Sequence, residues 1–260
     1  MCRDSLINSV EQYVKDKIGA FHEKRLSSIN ELSLRKLLTR KNPYLFKAKH
    51  SEVAGEIIKA LVDAHLSSQE EGIFGTFLEG LSVYVCEITC DGRKSSSEGI
   101  DLEFRKNGAY YIVSVKSGPN WGNSGQIAKM KDNFTKAKTR LRQGDKTLSV
   151  VAINGCCYGK QAKEDKGEYH KLCGQAFWHL ITGEPDFYKQ IIEPIGNDAR
   201  QRNEDFKKSY AAALNKITNE FIKDFCDGNG NINWNSILEF NSARLAPNAV
   251  RAKRKRKKHY

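Results

Sequence analysis

Asp101 and Lys116 are the two side chains whose types and spacing point most directly to chemistry. They stand in Glu98-Gly99-Ile100-Asp101-Leu102-Glu103-Phe104 and, after a short turn at Lys106-Asn107-Gly108, in Tyr110-Tyr111-Ile112-Val113-Ser114-Val115-Lys116-Ser117-Gly118. The two stretches read as a β-hairpin. Period-two alternation sends Ile100, Leu102 and Phe104 to one face of the first strand and Asp101 and Glu103 to the other. On the second strand Tyr111, Val113 and Val115 share a face, and Ile112, Ser114 and Lys116 point oppositely. If the apolar faces coincide, Asp101, Ser114 and Lys116 converge. A carboxylate able to hold a divalent cation, beside a lysine able to steady a developing anion, suits phosphodiester hydrolysis.

That chemistry asks for one or two Mg²⁺ ions per site, and for more oxygen ligands than one aspartate supplies. Asp101 is the best single metal ligand, and the backbone carbonyl of Val115 is its natural neighbour on the adjacent strand. Lys116 would polarise the attacking water or stabilise the phosphorane; its plainer alternative is an ordinary salt bridge. Ser114 offers only a weak ligand or a hydrogen-bond donor, so another acid must supply charge. Glu79, Glu98, Glu103 and Asp132 are the candidates. Glu103 shares the Asp101 face one pair farther along, Asp132 falls opposite the apolar stripe of its helix, and Glu98 sits just before the strand within reach. Glu79 is preferred, because a carboxylate on a largely apolar helix needs a partner; an exposed edge of that helix is the bland alternative.

The elements that must position these groups follow from periodicity. Residues 4–26 carry Leu6, Val10, Val14 and Ile18 at helical spacing, and a second helical pattern runs from Ile29 to Leu38, stopping near Pro43. Ser51–Leu66 is a helix, 67–72 a loop, and Ile73–Val85 a helix apolar on several sides that carries Glu79. Cys86–Ser97 reads as strand or irregular. After the hairpin, 118–125 is dense in turn residues. A basic helix follows from Gln126 to about Arg142, its start beside the site able to face phosphate. Thr147–Ile153 is a buried strand, 155–174 a polar loop, Ala176–Ile181 a short helix, and 186–226 helical with a break near Pro194. Asp227–Trp234 resembles a calcium loop but has Ile232 in place of its glycine and Leu238 in place of its final glutamate, so it reads as a turn into a last helix. The expected fold class is α/β, a central mixed sheet flanked by helices, with N- and C-terminal helical layers.

Charge points to a polyanionic partner. Lys and Arg number 43 against 31 Asp and Glu, for a net charge of +12, and the tail from Arg251 to Lys258 holds seven of the positive charges. No apolar run of transmembrane length is evident, and the N-terminus carries no signal-peptide core, so no membrane partner and a cytoplasmic location are expected. Seven cysteines without CxxC pairs read as reduced, mostly buried thiols rather than a zinc site or a disulfide framework.

Asp101, twelve intervening residues, then Ser114-Val115-Lys116 resembles the PD-(D/E)XK signature of type II restriction endonucleases, with serine where the middle acid usually stands. The chain is more specifically similar to the PmeII branch, which includes enzymes cutting RGGNCCY-type sites. The residues that carry this are Glu98-Gly99-Ile100-Asp101, Val113 to Gly118 with the following Trp121, and Phe74-Gly75. Weaker likeness at Phe177-Trp178, Gly183-Glu184, Asp227-Gly228 and Trp234 extends it over about residues 40–240. The resemblance implies a Mg²⁺-dependent homodimer that cuts both strands of a short palindromic site in double-stranded DNA, with Asp101 and Lys116 in the catalytic positions. One nuclease domain is expected over 1–246: a helical layer at 1–70, a catalytic core at 73–155, and a loop with C-terminal helices at 156–246. The polybasic tail is 247–260. Asn120, Trp121, Asn123 and Ser124 in the loop after the lysine, the 156–174 loop, and Lys129 and Lys136 on the basic helix are the candidate DNA contacts. A repair or junction nuclease of the same fold is one alternative; a non-catalytic nucleic-acid-binding protein, with Asp101 and Lys116 as a structural ion pair, is the other.

Overall fold

Asn107 and Gly108 both adopt left-handed backbone angles, φ 50° and 76°. That is the two-residue turn whose twist matches a right-handed hairpin. In a computed structural model, which describes residues 3–197 and 199–244, this turn joins β2 (Leu102–Lys106) to β3 (Ala109–Lys116). Around the hairpin the chain runs α1 (Arg3–Asn30), α2 (Leu34–Leu38), α3 (Pro43–Ala48), α4 (Ala54–Cys90) and the edge strand β1 (Arg93–Lys94). After it come α5 (Ser124–Gly144), β4 (Val150–Cys156), β5 (His170–Cys173), α6 (Gln175–Thr182), α7 (Phe187–Gln190), α8 (Ile192–Gly196), α9 (Ala199–Phe225) and α10 (Trp234–Ser242). The expected polybasic tail, 247–260, lies outside the described residues.

The five strands form one mixed sheet in sequential order. β1, β2 and β3 are antiparallel, and β3, β4 and β5 are parallel. The step from β3 through α5 to β4 is a βαβ crossover, so both sheet faces are covered. One face buries Leu102, Phe104, Val113, Val115 and Ile153 against α1, α4 and α6, with Phe177 and Trp178 at its centre. The other buries Tyr110, Ile112, Val150 and Ala152 against Met130, Phe134 and Ala137 of α5. The α/β architecture read from the sequence is therefore present, with one correction to its hairpin. Ile100 packs on the α5 side with Ile112, not with Leu102 and Phe104. Regular pairing begins at Leu102, and the left-handed Gly99 (φ 69°) turns the chain just before it.

Further expectations give way. Residues 67–72 are not a loop, and 86–90 are not strand or irregular. Both belong to α4, 37 residues long, whose Gln and Glu residues suit a helix and whose Gly72 costs only about 1 kcal/mol. By length and composition alone α4 is apolar enough to cross a bilayer, contrary to the sequence reading, but it places Ile57, Ile58 and Leu61 in one protein core and Phe77, Leu81 and Val85 in another. The expected loop at 155–174 contains β5, in parallel register with β4. The helical pattern expected from Ile29 to Leu38 is interrupted: α1 runs to Asn30, and α2 begins after the Ser33 cap.

The chain divides into two compact units. The first comprises the residues up to Arg25 and Gln69–Asp205, and holds the whole sheet. The second comprises Leu26–Ser68 and the described residues from Phe206 onward, built on Leu37, Ile58, Leu61, Ile217 and Phe221. Six described cysteines are free, four of them buried, and burial pushes the Cys156 thiol up to about 12.

Candidate active site

Where β2 begins, β3 continues three residues farther, to Lys116. The Asp101 N–H donates to the Val113 carbonyl (2.8 Å), the last backbone bond of this ladder. One step on, the Asp101 carboxylate takes over: its Oδ2 accepts the Val115 N–H at 2.7 Å. The aspartate thus stands in for the missing strand, and its position is fixed by the hydrogen bond. A strand residue's N–H and C=O leave on the same side, so the Val115 carbonyl also faces the Asp101 edge. Lys116 Nζ lies 3.9 Å from Asp101 Oδ2, close enough to attract and too far to hydrogen-bond, with both side chains partly exposed.

Glu79 joins them from α4. It is half-buried, and burial raises its carboxyl pKa above the ordinary value. The Asp101 charge beside it raises it further, and Lys116 and Lys94 pull it back. Four charged groups therefore share one field: two carboxylates and two ammonium groups. Gly75, one turn earlier on α4, explains how the helix comes so close. A Cβ there would stand 3.4 Å from Ser117 Cβ at the end of β3, so a larger side chain would push helix and strand apart.

The other candidates lie elsewhere. Glu98 is exposed and pairs with Lys129 at 3.0 Å, which holds its carboxyl below the usual range. Glu103 is 5% exposed and accepts from Arg93 Nε (2.8 Å) and Ser95 Oγ (3.2 Å), a pair that ties β1 to β2. Asp132 pairs with Lys136 on the outer face of α5. Ser114, 2% exposed, is enclosed in the sheet. Its position could not offer a hydroxyl to substrate without opening the fold. Asn123 is occupied as the cap of α5, in a reciprocal box with Gln126. Asn120 and Ser124 are exposed beside it. Trp121 is half-buried, with its ring 5.3 Å from Lys116 Nζ and its Nε1–H donating to Asn154 Oδ1 at 3.1 Å.

Three participants were not singled out from the sequence. Lys94 looked like one residue of a polar run, and only strand pairing with Leu102 sets it beside Asp101. Asn154 is a buried polar residue in an otherwise apolar strand, a signal that was there to read. Asn133 is likewise a buried amide on the apolar stripe of α5, and its Oδ1 has no hydrogen-bond partner. It packs on Gly99, where an added Cβ would overlap its amide.

The oxygen donors at this site are hard: two carboxylates and a strand carbonyl. Among the described residues no three or more His, Cys, Asp and Glu side chains gather into a metal-binding group. Mg²⁺ is usually bound through one or two carboxylates and completes its shell with water and substrate phosphate, and the two carboxylates and the strand carbonyl are donors of that kind. No curated protein matches the chain. A family model does: that of type II restriction endonuclease EcoO109I, over residues 8–203, a span that contains every strand of the sheet and every residue of the site. The likeness thus begins earlier than the resemblance around 40–240 suggested, and the Asp227-Gly228 and Trp234 positions fall beyond it. The span is well over half of the 260 residues, and the chain belongs to the EcoO109I family of type II restriction endonucleases.

Proposed function

We propose that this restriction endonuclease makes Mg²⁺-dependent double-strand cuts at a short palindromic DNA site, acting as a homodimer. The observation that carries the reading is the Asp101 carboxylate, fixed on the Val115 N–H at 2.7 Å, with Lys116 and Glu79 in the same field. Asp101, Glu79 and the Val115 carbonyl would hold the cation. Bound there, Mg²⁺ would supply Lewis-acid polarisation of the scissile phosphate and a lowered pKa for the attacking water. Lys116, held near Asp101 without being consumed by a short ion pair, donates to the phosphate oxygen on which charge develops. Ser114 takes no direct part.

Two-fold symmetry would match a palindromic site and deliver one such centre to each strand. Lys129 and Lys136 sit in exposed ion pairs that contribute little to stability, so both can exchange their carboxylates for phosphates. The likeness to the PmeII branch makes an RGGNCCY-type site the first sequence to test. Purified protein incubated with bacteriophage DNA and Mg²⁺ should give discrete bands. A smear or nicks would point to a repair nuclease, and DNA left intact with every divalent metal would point to a binding protein.

A further inference from the structure

Lys116 has lost one of the anions its motif normally provides, because Ser114 occupies the place of the middle acid. Its amine is 3.9 Å from Asp101 and stands over the Trp121 ring at 5.3 Å, within the range in which the face of an indole attracts a cation. The ring itself is anchored. Its Nε1–H donates to Asn154 Oδ1, and Asn154 Nδ2 donates to the Ser114 carbonyl at 3.3 Å. The anchor therefore returns to β3 two residues before the lysine. The loop that carries Trp121 is gripped from the other side. Tyr158 N–H donates to the Ser117 carbonyl, Lys171 Nζ donates to the Pro119 carbonyl at 2.7 Å, and a Cβ at Gly159 would meet Pro119 Cδ at 2.6 Å.

We infer that Trp121 is a positioning residue, not a DNA contact: its indole face, oriented by Asn154, holds the Lys116 ammonium beside Asp101 in readiness for the phosphate. The inference rests on the catalytic role proposed for Lys116 and concerns how that lysine is held. A leucine at 121 keeps bulk and removes the π face. A phenylalanine keeps a smaller face and loses the Asn154 bond.

The test compares wild type with Trp121→Leu, Trp121→Phe and Lys116→Met. The first reading is the NMR resonance of the Lys116 ε-CH₂ in protein carrying ¹³C-labelled lysine, assigned by its loss in Lys116→Met. The second is the single-turnover cleavage rate of bacteriophage DNA with Mg²⁺. The third is the affinity for a fluorescent duplex with Ca²⁺ in place of Mg²⁺. The lysine resonance should be shifted upfield by the ring most in wild type, less in Trp121→Phe, whose ring has lost the Asn154 bond, and should return to the ordinary lysine position in Trp121→Leu. Trp121→Leu should cut about tenfold more slowly, with Trp121→Phe nearer wild type and duplex affinity unchanged in both. An ordinary lysine resonance in wild type overturns the inference. So does a Trp121→Leu protein that cuts at the wild-type rate while Lys116→Met is inactive, or one whose deficit lies in duplex affinity. Wild-type cutting by Lys116→Met would instead remove the catalytic role of the lysine, and the resonance would still decide whether Trp121 holds it.

Discussion

Replacing Asp101 by asparagine separates the two roles that its carboxylate plays. In the fold it accepts the Val115 N–H at 2.7 Å, attracts Lys116 at 3.9 Å and is repelled by Glu79. Asparagine keeps an acceptor of the same shape. A hydrogen bond to a charged acceptor contributes about 1.5–3 kcal/mol and a neutral one about 0.5–1.5, so the exchange costs roughly 1 kcal/mol. The Lys116 pair is partly exposed and adds about 0.5 kcal/mol at most. Relief of the Glu79 repulsion acts in the opposite direction. Asp101→Asn should therefore unfold in urea within about 1 kcal/mol of wild type. Asp101→Ala leaves the Val115 N–H without its partner and should lose a further 1–2 kcal/mol or so. Activity should not follow this order. Both variants remove the proposed metal ligand, and both should lose more than the roughly 10–100-fold that loss of an outer hydrogen-bond partner costs a metal site. Both should still bind duplex DNA in Ca²⁺. Restriction-type cutting by Asp101→Asn would refute the assignment of the ligand, and an Asp101→Asn protein as unstable as Asp101→Ala would refute the account of the hydrogen bond.

Glu79 carries a raised carboxyl pKa, so the folded protein binds its proton more tightly than the unfolded chain does, and the metal-free protein should lose stability as pH rises from the ordinary glutamate value through the raised one. Glu79→Gln should remove that loss, making the apo protein more stable near neutrality in urea titrations; added Mg²⁺ should stabilise wild type and stabilise the variant less, and the variant should cut more slowly. The acidic limb of wild-type cleavage should move to lower pH as Mg²⁺ is increased, because the cation competes with the proton. Gly99→Ala forces a Cβ into a left-handed residue, at about 1–2 kcal/mol, and into the buried Asn133 amide, at about 1–3 kcal/mol more; thermal melts should show a loss of this order together with weakened cleavage, since Asp101 is two residues away. Lys129→Ala and Lys136→Ala should each lower the slope of log affinity against log salt by about 0.9 if the lysine meets a phosphate, and leave it unchanged if it does not.

What was legible in the sequence was the hairpin, because its signals are local: an Asn-Gly turn, two apolar strands, an acid at one start and a lysine at the other end. The separation of its faces was less so. Helices cover both sides of the sheet, so Ile112 and Val113 are both buried, and alternation no longer sorts core from surface. Ile100 went to the wrong cluster for a related reason: it precedes the regular strand, so strand periodicity did not yet govern it. The continuity of α4 was hidden by Ser67-Ser68-Gln69-Glu70-Glu71-Gly72, which has the composition of a loop but no residue that stops a helix. β5 has only four residues and draws its identity from register with β4. Glu79 could be named because a half-buried acid needs partners, but Lys94, one of those partners, is set in place by pairing that no local pattern records.

The serine at 114 then has a physical reading. That position is 2% exposed, between β2 and β4, and a carboxylate there would be desolvated beside Asp101. Without a cation bound beside it, burial and like charge would both push it toward its neutral form. On α4 the proposed second acid, Glu79, is only half-buried and feels Lys94 as well as Lys116, so two positive groups oppose two negative ones. The cost is that the acid no longer comes with the strand. Its distance from Asp101 depends on how closely α4 approaches the end of β3, where Gly75 faces Ser117. The proposed site is thus a hairpin pair completed by a helix, and that helix packs on the end of β3 through Gly75, where there is room for a methyl group and little more.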